Sequence, residues 1–193
     1  MTTIQMNQII ELVSEYIGIR YGMVTINYNT GNIINHYPMY GYCDSLPELK
    51  NIKKIGINSI GLINIIRHKL NKRIPNNYYY QQFNGSIGCW NRALINYYGY
   101  RELIPKCNNH LEYKIGTLFL RTFKDNSLGH AAIYLGNNLI INSYTNDYYD
   151  NNHLSDPGVI IENIYEIKFF EMKYLQIEQY FDYAIDWDVW TSL

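Results

Sequence analysis

The chain has 193 residues, 47% hydrophobic and 17% charged, the balance of a globular protein able to bury one core. A net charge of −1 excludes a protein that grips polyanions through bulk charge, so no nucleic-acid partner is expected. No run of 18 apolar residues occurs, so no membrane span is expected either.

In chain order, the first element is a helix from about Thr3, a candidate cap, through Met6, Ile9, Ile10, Val13 and Ile17, whose spacing gives one apolar face. This opening, MTTIQMNQIIELVSEY, lacks a basic start and a long apolar stretch, so it reads as an amphipathic helix and not as a secretion signal. Residues 22–50, rich in Gly, Asn, Pro and Tyr, read as an irregular connection. Cys43 lies there. With Cys89 and Cys107 it makes an odd set without C-x-x-C spacing, which argues against a disulfide framework or a zinc site and for a reducing compartment, cytoplasm or virion. Residues 50–73 carry Lys50, Lys53, Lys54, Arg67, Lys69, Lys72 and Arg73. A solvated helix face is the favoured account, ahead of a basic rim for an anionic substrate.

A second helix begins near Ser59 with Ile63, Ile66 and Leu70 on one face and ends before Pro75; a third covers roughly Cys89 to Tyr98 and stops at Gly99. Strands follow at 116–123, 130–135, 138–144, 158–164 and 179–185. Helices first and an antiparallel sheet afterwards is an α+β layout, and without repeats or linkers residues 1–193 read as a single domain. The polar loop TNDYYDNNHLSDPG offers Asp147, Asp150, His153 and Asp156, but their spacing fits no calcium loop and a solvated loop is favoured. The acidic stretch 162–188 (Glu162, Glu166, Glu171, Glu178, Asp182, Asp186, Asp188) also reads as solvated. The 21 tyrosines, with abundant Ile and Asn, fit an A/T-rich genome better than any structural demand.

Three pieces of sequence bear on chemistry. In GINSIGLINIIRHKL, Ser59 stands at a helix start, where the helix dipole and backbone N–H groups favour a nucleophile and an oxyanion. On this segment alone, Asn58 or Ser59 as a plain N-cap is the stronger reading. In GHAAIYLG, His130 opens a strand; alone it would more often be a hydrogen-bonded surface histidine. In LIINSY, reached by a tight turn at Gly136-Asn137-Asn138, Asn142 falls beside His130 on the same face of a hairpin, where an amide oxygen holds an imidazole tautomer.

In this order the pieces resemble the NlpC-type cell-wall peptidases, a branch of the papain-like superfamily. That family's nucleophile motif, D-C-S-G-L or N-C-A-G-L, is matched by Asn58-Ser59-Ile60-Gly61-Leu62, and its H-x-G-I-Y-L-G by His130 to Gly136. Its third polar residue matches Asn142, and its L-G-x-P-Y is similar to Ile17-Gly18-Ile19-Arg20-Tyr21. The closing PGVIIENIYEI and YFDYAIDWDVW resemble elements of viral and algal members, so a large DNA virus is among the implied sources.

The resemblance implies a papain-like NlpC-type fold and amide hydrolysis through a thioester. A cysteine at position 59 would attack, His130 would serve as base and then acid, Asn142 would orient it, and N–H groups near residue 59 would hold the oxyanion. It further implies Tyr21 and Asn58 at the substrate site, a peptide or peptidoglycan-fragment substrate, no metal and no cofactor; oligomeric state is not legible. Two features depart from the pattern: a long connection between Tyr21 and residue 59, and serine in the nucleophile's place. A hydroxyl is far less acidic than a thiol, so the chain is expected to be nearly inert as written. Either the serine was introduced to trap an inactive form or the protein is a binding-only relative on the same fold; the retained His130, Asn142 and Gly61 incline the reading to the first. A lipid acyltransferase is disfavoured, because those relatives carry histidine before cysteine. The rival nucleophile Cys89, followed by Trp90 as in papain, lacks any other papain motif and is expected to be a packing residue. His36, His68, His110 and His153 sit in no ligand spacing and are expected at the surface.

Overall fold

The computed structural model describes residues 3–22, 24–26, 33–36, 46, 48–75, 90, 113–121, 129–144, 158–164 and 181–192. Helix α1 (Thr3–Val13) runs into a 3-10 turn over Ser14–Tyr16, and Ile9, Val13 and Tyr16 from this segment are buried. Residues 22–50, expected to be irregular, include two short antiparallel strands, β1 (Val24–Ile26) and β2 (Ile33–His36), and at their end the helix α2 (Leu49–Ile55) begins. Strands of three and four residues are too short to show alternation, and in the seven-residue helix Ile52 is buried.

Helix α3 (Ser59–Lys69) starts as expected, preceded by α2 and the connector Gly56–Asn58. Every residue from Ser59 to Arg67 is buried, so α3 has more than one apolar face; of the cations expected to be solvated, Lys50, Lys53, Lys54, Lys72 and Arg73 are exposed, and Arg67 is the correction. Its guanidinium donates to the carbonyls of Arg73, Trp190 and Thr191, using the fixed fork of arginine to satisfy chain ends that the core would otherwise strand. His68, expected at the surface, is half-buried on the same helix.

The five strands β3 (Leu118–Arg121), β4 (His130–Gly136), β5 (Leu139–Tyr144), β6 (Gly158–Asn163) and β7 (Tyr183–Ile185) form one antiparallel sheet in the order β6-β5-β4-β3-β7, an α+β arrangement. Between β4 and β5, Asn137 and Asn138 adopt φ of 50° and 60°, the left-handed pair that a two-residue turn matched to strand twist requires. A short helix α4 (Trp187–Ser192) closes the fold, its Trp190 indole donating to the Gly116 carbonyl at 2.9 Å.

Both faces of the sheet are covered. Ala131, Ile133 and Leu135 of β4 join Leu118, Leu120, Ile141, Val159 and Ile185 against α1, α3, Trp90 and Trp190. On the other face Phe119, Ala132, Tyr134, Ile140, Ile164, Phe181 and Ala184 form a smaller cluster. Trp90 is helical and buried, its indole donating to Asn64 Oδ1 at 2.8 Å. The rest of the third helix expected at 89–98, the three cysteines, His110 and the loop bearing Asp147, Asp150, His153 and Asp156 lie outside the described residues. Among the described residues no helix is long and apolar enough to cross a membrane.

Candidate active site

Two neighbouring residues of β5 organise the site. Side chains alternate along a strand, so Asn142 and Ser143 face opposite sides of the sheet. Ser143, on the side of α3, donates through Oγ to the Ile57 carbonyl at 2.6 Å. Asn142, on the other side, accepts through Oδ1 from His130 Nε2 at 3.1 Å. One rung of the sheet therefore holds the histidine on one face and, on the other, the backbone two residues before Ser59.

The Ile57 backbone is also paired with the segment around Tyr21. Ile57 N–H donates to the Arg20 carbonyl at 3.0 Å, and Gly22 N–H donates to the Ile57 carbonyl at 3.4 Å. Tyr21, half-buried, thus sits across from the connector that leads into α3. Two glycines permit this threading. Gly56 holds φ +84°, and a Cβ there would stand 3.0 Å from the Tyr21 carbonyl oxygen. Gly158 holds φ +61°, and a Cβ there would fall 2.0 Å from the Ile19 carbonyl oxygen, which accepts from Val159 N–H at 2.9 Å.

At the helix start, Asn58 is in extended conformation and its Oδ1 accepts from Gly61 N–H at 2.7 Å, a side-chain N-cap. The Asn58 carbonyl accepts from Leu62 N–H at 3.1 Å. Ser59 follows, 6% exposed. Among the described residues no hydrogen bond joins Ser59 to His130.

His130 is the first residue of β4, 8% exposed, on the face of Ala132 and Tyr134, which is the face away from α3. Its ring stacks on Phe181 with centroids 5.8 Å apart. Arg121 stands directly opposite it on β3. Burial pushes the imidazole pKa down to about 4; the Asn142 hydrogen bond works against that shift, and the Arg121 cation adds to it. At neutral pH the ring is therefore neutral. Its Nε2 carries the hydrogen given to Asn142, and Nδ1 carries the basic lone pair.

The amide of Asn142 has a second partner: Nδ2 donates to Glu162 Oε1 at 2.6 Å. On β6, Ile160 is the cross-strand partner of Asn142, which puts Glu162 diagonally beside it on the same face. Arg121, His130, Asn142 and Glu162 thus form a polar row across four adjacent strands. The structure brings Tyr21, Asn58 and Ser59 together around Ile57, and His130 with Asn142 on the far side of the same rung. Glu162, Arg121, Phe181 and Ser143 were not singled out by the sequence reading, except that Glu162 was counted in an acidic stretch expected to be solvated. It is half-buried and bonded, a correction of that expectation. Its signal was a lone acid in a largely apolar strand, GVIIENI, but the register that sets it beside Asn142 is not written in the strand itself. Compared with known families and with curated proteins, the chain matches no family model and no curated protein.

Proposed function

We propose that this chain is a papain-like hydrolase fold of the NlpC type with Ser59 in the nucleophile's seat. The observation that supports it most is the hydrogen bond from His130 Nε2 to Asn142 Oδ1, made at the end of the sheet where Ser143 holds the lead-in to Ser59. A histidine so held has Nδ1 as its base, the arrangement a Cys–His–Asn site uses. On this reading a cysteine at position 59 and His130, which belong to opposite faces at the same end of the sheet, would meet around that end: the thiol would give its proton to His130, the thiolate would attack the amide carbonyl carbon of a peptide or isopeptide bond, and His130 would pass the proton to the leaving amine. Water would then cleave the thioester, with His130 as base. The first-turn N–H groups that the cap does not use are those of Ser59 and Ile60, and an oxyanion would be met by them. Peptidoglycan stem peptides are the proposed substrate class, with Tyr21 and Asn58 beside the scissile bond; the chemistry calls on no metal or cofactor.

A second reading, a binding protein on the same fold, is favoured by the hydroxyl at position 59. Without a thiol, no thiolate is available to hold an imidazolium, and His130 is neutral at pH 7. The test is Ser59→Cys, with alkylation by iodoacetamide followed at that position by peptide mapping. The hydrolase reading expects the thiol to titrate well below about 8.5, to lose that reactivity with His130→Ala, and to cleave stem peptides. An ordinary titration, indifferent to His130, would put the binding protein first.

A further inference from the structure

The amide of Asn142 lies between an imidazole and a carboxylate, and the two partners do not constrain it equally. His130 alone accepts either orientation of the amide. With Oδ1 towards the ring, Nε2 must be the protonated nitrogen; with Nδ2 towards it, Nε2 must be the acceptor and the hydrogen moves to Nδ1. A carboxylate offers no such choice, because it only accepts. With Glu162 Oε1 at 2.6 Å from Nδ2, turning the amide over would set oxygen against oxygen and lose that bond, while the bond to His130 could be remade only in the other tautomer.

We infer that Glu162 is a positioning residue which, by fixing the orientation of the Asn142 amide, selects the His130 tautomer with hydrogen on Nε2 and the basic lone pair on Nδ1. The geometry alone carries the tautomer selection; its service to catalysis rests on the hydrolase reading proposed above. The row is built to transmit the choice. Asn142 is 1% exposed, so water cannot easily stand in for the carboxylate, and its neighbours across β4 and β6 are fixed by strand register. The aromatic face of Phe181 against the ring limits imidazole reorientation as a way around a flipped amide.

The experiment is nitrogen NMR of the full chain labelled with 15N-histidine, at a pH above the titration of His130, with its signals assigned by their loss in His130→Gln. In the parent protein, Nε2 is expected at the shift of a protonated ring nitrogen and Nδ1 at that of an unprotonated one. In Glu162→Leu the two are expected to move towards each other as the tautomers mix, or to exchange. Should Glu162→Leu fail to fold, Glu162→Gln decides: its amide keeps the size of the carboxylate but can donate as well as accept, so the same mixing is expected in weaker form. Retention of the parent shifts in the folded variants overturns the inference. In the Ser59→Cys background, Glu162→Leu should lower kcat for stem-peptide cleavage more than tenfold with little change in KM. If the tautomers mix but Ser59→Cys cleaves nothing, the hydrolase reading has failed and the tautomer selection stands.

Discussion

The two faces of β4 are built from alternate residues of one seven-residue strand, yet they obey different rules. Towards α3 the strand offers Ala131, Ile133 and Leu135 to the larger apolar cluster, in which buried side chains from α1 and α3 meet the sheet. Towards the other side it offers His130, Ala132 and Tyr134, and there the apolar cluster gives way at the strand's start to a row of four polar residues. A buried imidazole and amide gain less from folding than methyl groups of the same volume, since each must first shed water and then recover its hydrogen bonds. One face thus holds the fold together, and the other carries a buried polar row that adds less to stability.

The largest effect is expected on the first face. Ile133 is fully buried between the sheet and the helices, so Ile133→Ala should cost about 2–5 kcal/mol, read as a lower urea midpoint at unchanged slope. His130→Leu, on the opposite face of the same strand, exchanges a desolvated ring for an apolar side chain. It leaves Asn142 Oδ1 without its donor, at about 1–3 kcal/mol, offset in part by the apolar gain. A histidine substitution as costly as Ile133→Ala would erase the distinction between the faces.

The second prediction uses pH. The folded protein holds His130 with a pKa lowered to about 4, against 6.5 for an ordinary histidine. Above 6.5 the ring is neutral in both states and its contribution is complete. As pH falls from 6.5 towards 4, the unfolded chain takes up a proton that the folded chain refuses, so stability declines; below about 4 both states are protonated and the loss levels off. The shift corresponds to a loss of about 3 kcal/mol. Denaturation midpoints across that window should fall more steeply in the parent than in His130→Leu. Parallel pH dependences would mean that the ring is hydrated and the face is not a dry one.

The same contrast explains how much was legible in the sequence. The five sheet strands were readable because their apolar residues recur along short runs bounded by turn residues, and the Gly136-Asn137-Asn138 turn fixed the β4–β5 hairpin. That hairpin made the pairing of His130 with Asn142 readable as well, since both lie on one local unit. Arg67 and Glu162 were misread for one reason: charge suggests solvent, and only tertiary placement shows that Arg67 meets the carbonyls of α4 or that Glu162 meets an amide. The short strands β1 and β2 and the helix α2 escaped because each carries too few residues for a period to emerge. Ser143 was passed over as a small polar residue in a strand, although its hydroxyl ties the sheet to the connector before Ser59.

The smallest expected effect concerns the junction between the two faces, at the start of α3. Asn58 satisfies the Gly61 N–H with its side chain while its backbone remains extended, so it is a true cap and not merely the residue before a helix. Asn58→Ala removes that acceptor and should cost about 1 kcal/mol, whereas Asn58→Asp keeps an acceptor, adds a charge favoured by the helix dipole, and should restore most of the loss. The pH dependence separates this cost from the histidine's. The cap is an amide without a titration of its own, so the penalty of Asn58→Ala should stay constant from 6.5 down to about 4, where the His130 contribution disappears. A penalty that instead shrank along with the His130 contribution would show that cap and imidazole are energetically coupled across the sheet. Ser143 would be the connection, because its bond to the Ile57 carbonyl is the described side-chain link between the rung of Asn142 and the helix start. Repeating the measurement in Ser143→Ala would then be expected to restore a pH-independent cap.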